Sequence, residues 1–397
     1  MSLLDKFKKS KDKSTDNHYL SNKEIKAIAK ANSKVMFELE KKKYRHAEES
    51  EFVTEMKDPA NILEIEDLHT YFFTDQGIVK AVNGVSFEIP QGSTVGIVGE
   101  SGCGKSVTSM SVMRLLQGPQ GQIYSGHIRF KSSDEHGDNT KVYDIAEMPI
   151  NDIHKLRGRQ IAMIFQEPMT SLNPVFTIGN QLDEVTFIHN PSATKEEAKA
   201  RSMEMLELVG IAAPERVYNS FPHELSGGMR QRVMISMALI CNPRLIIADE
   251  PTTALDVTIQ AQILDLLRDI KDKINGSVML ITHDLGIIAE MADYVVVMYA
   301  GRVIEKGTVR EIFHNPMHPY TIGLQKSKPT MDSDSDTLFS IPGNVPNPVN
   351  MPNHCYFKER CSKCIHKCSG EYPGMVQVSP THFVACHLYD EEEKANG

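Results

Sequence analysis

Nowhere in its 397 residues does the chain carry an apolar run approaching the roughly 18 residues needed to cross a bilayer. Its first ten residues also lack the apolar stretch of a secretory signal. Positive charge is in deficit: 43 Lys and Arg stand against 52 Asp and Glu, a formal net charge of -9, which argues against nucleic acid as the main partner. Cysteine is scarce over most of the length, and five of the seven lie between Cys355 and Cys386. In a reducing compartment such a group suggests a metal or cluster site before it suggests disulfides. The absences together lead us to expect a cytoplasmic chain, and its length allows more than one domain.

Residues 1–58 are lysine-rich, poor in glycine and without strand signals, and read as an N-terminal extension, helical or partly disordered. Leu3, Leu4 and Phe7 stand beside Lys6, Lys8, Lys9, Lys11 and Lys13, a pattern that suits either an anionic membrane surface or a solvated terminus. Ile25, Ile28, Ala29, Val35, Met36 and Leu39 recur at helical spacing, which predicts a docked amphipathic helix.

From residue 62 the pattern becomes that of strands. Residues 62–68 and 79–89 read as antiparallel strands, and the short apolar run 94–98 as a buried parallel one. That run leads into residues 99–106, Gly-Glu-Ser-Gly-Cys-Gly-Lys-Ser, and then a helix. Strand, glycine-rich loop and helix make a phosphate site: successive backbone N–H groups and the positive helix end surround an anion. Lys105 would reach the β- and γ-phosphates of a nucleotide, and Ser106 would hold Mg²⁺. Phe72, in preference to Tyr71, would stack on an adenine ring, unless it is a core aromatic.

Downstream come an apolar strand at 161–165, a loop broken by Pro168 and Pro174, an amphipathic helix at 195–209, and Leu-Ser-Gly-Gly-Met-Arg-Gln-Arg at 225–232. Ser226 is placed to cap a helix there, with Gly227 and Gly228 opening its N–H groups to a second anion. The strand 245–249 ends in two acids. Asp249 would join the Mg²⁺ shell and Glu250 would polarise the attacking water. A third strand, 278–281, ends at Thr282 and His283, on the carboxyl edge where parallel sheets bind ligands.

With Gln166, the 225–232 segment, Asp249-Glu250, Asp256 and His283 following the phosphate loop in this order, the chain resembles an ABC-type ATPase over about residues 60–330. The resemblance implies an α/β P-loop NTPase fold with an antiparallel β subdomain and a helical subdomain near 167–240, in an ATPase domain spanning 59–330. It implies a dimer that sandwiches two ATP molecules. Gly99, Ser101, Gly102, Cys103, Gly104, Lys105, Ser106, Val107, Gln166 and Asp249, with Phe72, would bind ATP. Ser106, Gln166 and Asp249 would carry Mg²⁺, and Glu250, His283 and Gln166 would act in hydrolysis. Ser226, Gly227 and Gly228 would serve the partner's ATP, and Asp256 would lie at the dimer seam.

Residues 223–235 and 247–263 resemble more closely the D-type ATP-binding subunit of oligopeptide and dipeptide permeases, as do the stretches at 314–321 and 341–346. This implies a motor of a peptide importer on the cytoplasmic face of the membrane. Its expected partners are an F-type ATPase subunit, two membrane-spanning permease subunits and, through them, an extracellular peptide-binding protein. The in-class alternative is import of nickel or another small solute, against which the tail speaks. A soluble ATPase acting on DNA or ribosomes is disfavoured by the single uninterrupted cassette and the acidic balance. In the extension 331–397, Cys355, Cys361, Cys368 and Cys386 fall on the family's cysteine pattern, with Cys364 additional. They would hold a 4Fe–4S cluster, Zn²⁺ or nothing, and a cluster there would be structural or a redox sensor.

Overall fold

Alternate side chains of the central parallel strands enter two different cores. Val95 and Ile97, Leu245 and Ile247, and Met279 and Ile281 point into one core. Val98, Ile246 and Ala248, and Val278 and Leu280 point into the other. This is the period of two expected of extended chain, and it explains why these strands read as unbroken apolar runs: both faces are covered.

The computed structural model describes residues 21–133, 140–167, 171–253, 256–327 and 339–390. In chain order these hold α1 (Asn22–Lys43), β1 (Val53–Thr54), β2 (Asn61–Thr74), β3 (Gly77–Pro90), β4 (Thr94–Val98), α2 (Lys105–Val112), β5 (Gly121–Ser133), β6 (Thr140–Asp144) and β7 (Ile161–Ile164). The helices α3 (Ile178–His189), α4 (Lys195–Leu208), α5 (Pro214–Asn219) and α6 (Gly227–Leu239) follow. Then come β8 (Leu245–Asp249), α7 (Val257–Ile274), β9 (Ser277–Ile281), α8 (Leu285–Met291), β10 (Tyr294–Tyr299), β11 (Arg302–Thr308), α9 (Val309–His314), α10 (Pro319–Lys326), β12 (Val376–Gln377) and β13 (Phe383–Val384).

One sheet runs β1-β6-β5-β2-β3 and is antiparallel; the other runs β12-β13-β11-β10-β4-β9-β8-β7. In the second, β4 pairs in parallel with β9 and β10, and β8 with β7 and β9. The first core lies between the two sheets, and the second lies under the helical layer α3 to α7. The expected strands and helices are present, with β2 running on to Thr74, well past its predicted end at residue 68.

The helix expected in the N-terminal stretch is α1, opened by a capping box between Ser21 and Glu24. Its six predicted apolar residues are all half-buried, so it is fixed largely by polar anchors. Asn32, buried, donates through Nδ2 to the carbonyl of Thr74 at 2.8 Å, and Lys42 pairs with Glu147 at 2.8 Å. The short β1 also falls within residues 1–58 and pairs with β6. Two residues cannot display an alternation, which is why the sequence shows no strand there. The lysine-rich stretch around Leu3, Leu4 and Phe7 lies outside the described residues.

The tail is tied to the sheet by a buried acid. Glu305 of β11 accepts from the backbone N–H groups of Met317 and His318 at 2.7 and 2.9 Å and meets His382 Nε2 at 2.8 Å. His318 caps α10, its Nδ1 accepting from the N–H of Tyr320 at 3.0 Å. Burial pushes its imidazole down from 6.5 to about 4, against the pull of the Glu305 carboxylate. The unfolded chain therefore takes up a proton as pH falls through about 6.5, while the folded chain refuses it until about 4. Stability present above that window should be lost within it, by about 2 kcal/mol between pH 7.5 and 5. Replacing His318 by Asn keeps a cap acceptor and removes the titration, so urea midpoints of H318N should show a flatter pH slope than those of the parent chain.

Candidate functional site

Parallel register brings the carboxyl ends of β4, β8 and β9 side by side, with Ile97 opposite Ile281 and Asp249 opposite Ile281. The phosphate loop, the acid pair and Thr282–His283 follow those ends. In the loop, two glycines are required by space as well as conformation. A Cβ on Gly104 would stand 2.4 Å from the carbonyl oxygen of Ala81, with φ at +103°. One on Gly99 would stand 2.2 Å from the carbonyl oxygen of Met298. Ser101 and Gly102 lie exposed at the crest, while Cys103 is buried and Val107 packs toward the core between the sheets. Burial pushes the Cys103 thiol up, with the Lys105 ammonium working against it.

Lys105 opens α2 and donates through Nζ to the carbonyls of Gly99 and Glu100 at 2.8 and 3.2 Å. Ser106 donates through Oγ to Asp249 Oδ1 at 3.1 Å. Burial raises the Asp249 carboxyl, the Ser106 hydrogen bond opposes this, and the neighbouring Glu250 charge adds to the rise.

Three side chains converge on Glu250. Gln166 Nε2 and Thr253 Oγ1 each donate to Oε2 at 2.9 Å, and His283 Nδ1 meets Oε1 at 3.2 Å. The backbone of Glu250 is held at φ +48°, a region costly for a side chain with a Cβ. Its N–H donates to the carbonyl of Ile281 at 2.8 Å, which ties it to β9. The sequence does not single out Thr253 as a partner of Glu250, because a threonine after Pro-Thr reads as turn chemistry.

Tyr71 is committed to the protein interior: its hydroxyl donates to Asn83 Oδ1 at 2.9 Å and its ring stacks on Tyr124 at 5.0 Å. Phe72 is half-buried, opposite Val79 in β3 and against Gly121, where a Cβ would stand 2.9 Å from its ring.

A second pair of helix starts lies elsewhere on the surface. Ser226 caps α6, its Oγ accepting from the N–H of Met229 at 3.4 Å, and Asp256 caps α7, accepting from the N–H of Ile259 at 3.0 Å. A Cβ on Gly228 would stand 3.0 Å from Ile259, so the two starts are neighbours. Ser226, Gly227 and Asp256 are exposed, and Gly227 faces open space. Gln231 of α6 reaches back to the carbonyl of Pro251 at 2.5 Å, which joins this surface to the segment after Glu250.

The metal or cluster site expected at Cys355, Cys361, Cys368 and Cys386 is not supported. Among the described residues no group of three or more His, Cys, Asp or Glu side chains gathers with metal-holding geometry. None of the tail's cysteines is in a disulfide, and Cys355 and Cys361 pack against the helical-side core as small apolar side chains do. Burial pushes the Cys355 thiol up to about 11 and that of Cys386 up to about 12. Protein contacts hold the tail to the sheets, among them Asn83 Nδ2 donating to the Tyr356 hydroxyl at 3.0 Å and the pairing of β13 with β11.

Comparison with known proteins agrees with this architecture. The ABC transporter family matches residues 82–253, and the family described as the oligopeptide/dipeptide transporter C-terminal region matches residues 304–368. The oligopeptide transport ATP-binding protein AppD of Bacillus subtilis is 49% identical over 84% of this chain and 98% of its own length. OppD of the same organism is 50% identical over 82% of this chain and 88% of its own, and the dipeptide transport protein DppD is 47% identical over 83% and 95%. Among solved structures, the post-hydrolysis dimer of the ATP-binding cassette MJ0796 with ADP and Pi is 26% identical, covering 62% of this chain and 99% of that one with a TM-score of 0.54. The cassette cbiO1 from Clostridium perfringens is 28% identical, covering 67% and 96% with a TM-score of 0.53. The chain has the fold of an ABC ATPase cassette. It belongs to the ABC transporter family, within the group of oligopeptide and dipeptide transport ATP-binding proteins.

Gly104 offers a direct check on the loop. G104A should destabilise the chain by about 2 kcal/mol, since it forces both a close contact and a strained φ. Chemical denaturation measures that loss, and nucleotide binding should fall with it.

Proposed function

We propose that this chain is the ATP-hydrolysing subunit of a peptide importer. The observation that carries the reading is the Glu250 carboxylate, held by Gln166, Thr253 and His283 beside the Ser106–Asp249 pair at the carboxyl edge of a parallel sheet. Such a carboxylate, oriented from three sides, suits a base that takes a proton from water as it attacks the γ-phosphate. Lys105 and the N–H groups of the loop bind the phosphates, and Phe72 stacks on the base. Ser106, Gln166 and Asp249 would hold Mg²⁺, which neutralises charge on the phosphate oxygens. His283 orients Glu250.

Ser226, Gly227 and Gly228 serve the ATP of a second subunit, with Asp256 at the seam, a reading supported by the open space beside Gly227 at an exposed helix start. That second subunit is an F-type ATPase. ATP touching both subunits favours the closed pair and hydrolysis releases it, a population shift driven by differential contacts. Two membrane subunits receive that motion on the cytoplasmic face of the membrane, and an extracellular protein delivers the peptide.

A groove of about 640 Å³ supports the coupling. It is lined by Phe165, Val185, Ile188, Met234 and Met237, and Phe165 and Ile188 are 41% and 64% exposed. Phe165 immediately precedes Gln166, so a permease segment seated there lies one residue from the group that holds Glu250. No helix among the described residues is long and apolar enough to cross a membrane.

E250Q should bind ATP as the parent chain does while turnover falls at least a hundredfold; unchanged hydrolysis would reject Glu250 as the base. Purification of the tagged chain from native membranes in mild detergent should retain two membrane subunits and a second ATPase. Recovery from the cytosol alone would reject the importer.

A further inference from the structure

We propose that Arg360 of the C-terminal extension is a positioning residue of the phosphate loop, holding Glu100 and cancelling its charge where ATP is to bind. The proposal rests on the reading that this loop binds ATP.

Glu100 is the second residue of the loop, and its carboxylate is an unexpected group to find beside a site for a polyanion. The structure answers it from 260 residues away. Arg360 donates from Nη1 to Glu100 Oε2 at 2.7 Å and from Nη2 to Oε1 at 3.0 Å, a two-toothed pair. The guanidinium is itself fixed. Its Nε donates to the carbonyl of Pro342 at 2.9 Å, Nη2 also donates to that of Ile341 at 3.3 Å, and Nη1 also lies 3.4 Å from the Tyr299 hydroxyl oxygen. The Arg360 side chain is 6% exposed and that of Glu100 26%.

The backbone of Glu100 is held by the same side of the molecule. Its N–H donates to the Tyr320 hydroxyl at 2.8 Å, and Tyr320 packs on Tyr299 and Phe357, ring centres 4.8 and 5.6 Å apart. Its carbonyl accepts from Lys105 Nζ and from the N–H of Cys103, each at 3.2 Å. The residue that Arg360 grips is thus one of those that orient the phosphate-binding lysine. Removing one partner of so enclosed a pair leaves the other's charge uncompensated, and here that charge is negative and stands on the phosphate loop.

The sign of the effect separates this role from mere packing of the tail. With the full-length chain and Mg²⁺ withheld, ATP affinity is read by displacement of a fluorescent ATP analogue. R360A should bind ATP at least tenfold more weakly, and R360K, which keeps the charge but loses the two-toothed geometry, should fall between it and the parent. E100Q should bind no more weakly than the parent, because it removes a repelling anion and leaves a cation in place. E100Q/R360A should recover at least half of the logarithmic loss of R360A. With Mg²⁺ restored, kcat of R360A at saturating ATP should stay within threefold of the parent while KM rises.

Parent-like affinity in R360A, or no recovery in the double variant, overturns the proposal. If R360A does not fold, R360K and E100Q decide it: weaker binding in the first alone supports the proposal, and parent-like or equally weakened binding in both overturns it. Failure of the underlying reading looks different, because then the parent chain does not bind ATP, or K105A binds it equally well, and the proposal falls with it.

Discussion

Parallel pairing of β4 with β9 and of β9 with β8 is the constraint on which the site depends. The three strands come from distant parts of the chain, yet a shared direction puts all their carboxyl ends on one edge. The phosphate loop, Asp249 and Glu250, and Thr282 and His283 then meet without further device. Had β8 run the other way, its acids would stand at the opposite edge, and Ser106 would have no carboxylate to meet. The tight contacts around Gly99 and Gly104 fix the loop against its own sheet with similar strictness, one at the carbonyl of Met298 and the other at that of Ala81.

Much of this was legible from residue order. The buried strands could be read because each is apolar along most of its length, a consequence of being covered on both faces. The helix start at Ser226 could be read because capping needs a short polar side chain at a definite place; that Asp256 caps α7 is seen only in the structure. Phe72 and Tyr71 differ only by position in one strand, and the hydrogen bond from the Tyr71 hydroxyl to Asn83 is what distinguishes them in the folded chain.

Other features had no local trace. The grip of Arg360 on Glu100 joins residues far apart, and neither has a neighbour in sequence that signals it. The polar anchoring of α1 through Asn32 was likewise hidden, since the spacing of its apolar residues suggested a buried stripe where all six are only half-covered. The cysteines are a further case: their clustering in sequence suggested a shared ligand, which the fold does not support, and Cys368 and Cys386 are buried as neutral thiols can be.

The division of alternate strand side chains between two cores bears on how the molecule can deform. Each central strand is a party wall, with the antiparallel sheet leaning on one side and the helices α3 to α7 on the other. A wall only one strand thick has no slack of its own, because a shift that opens a gap on one side crowds the other. The helical layer therefore has to swing as a block about its edges, where loops join it to the strands. Gln166 stands just beyond β7 at one of those edges, so a swing of the block would bear on the Glu250 carboxylate by leverage, with the middle of the sheet as the fixed point.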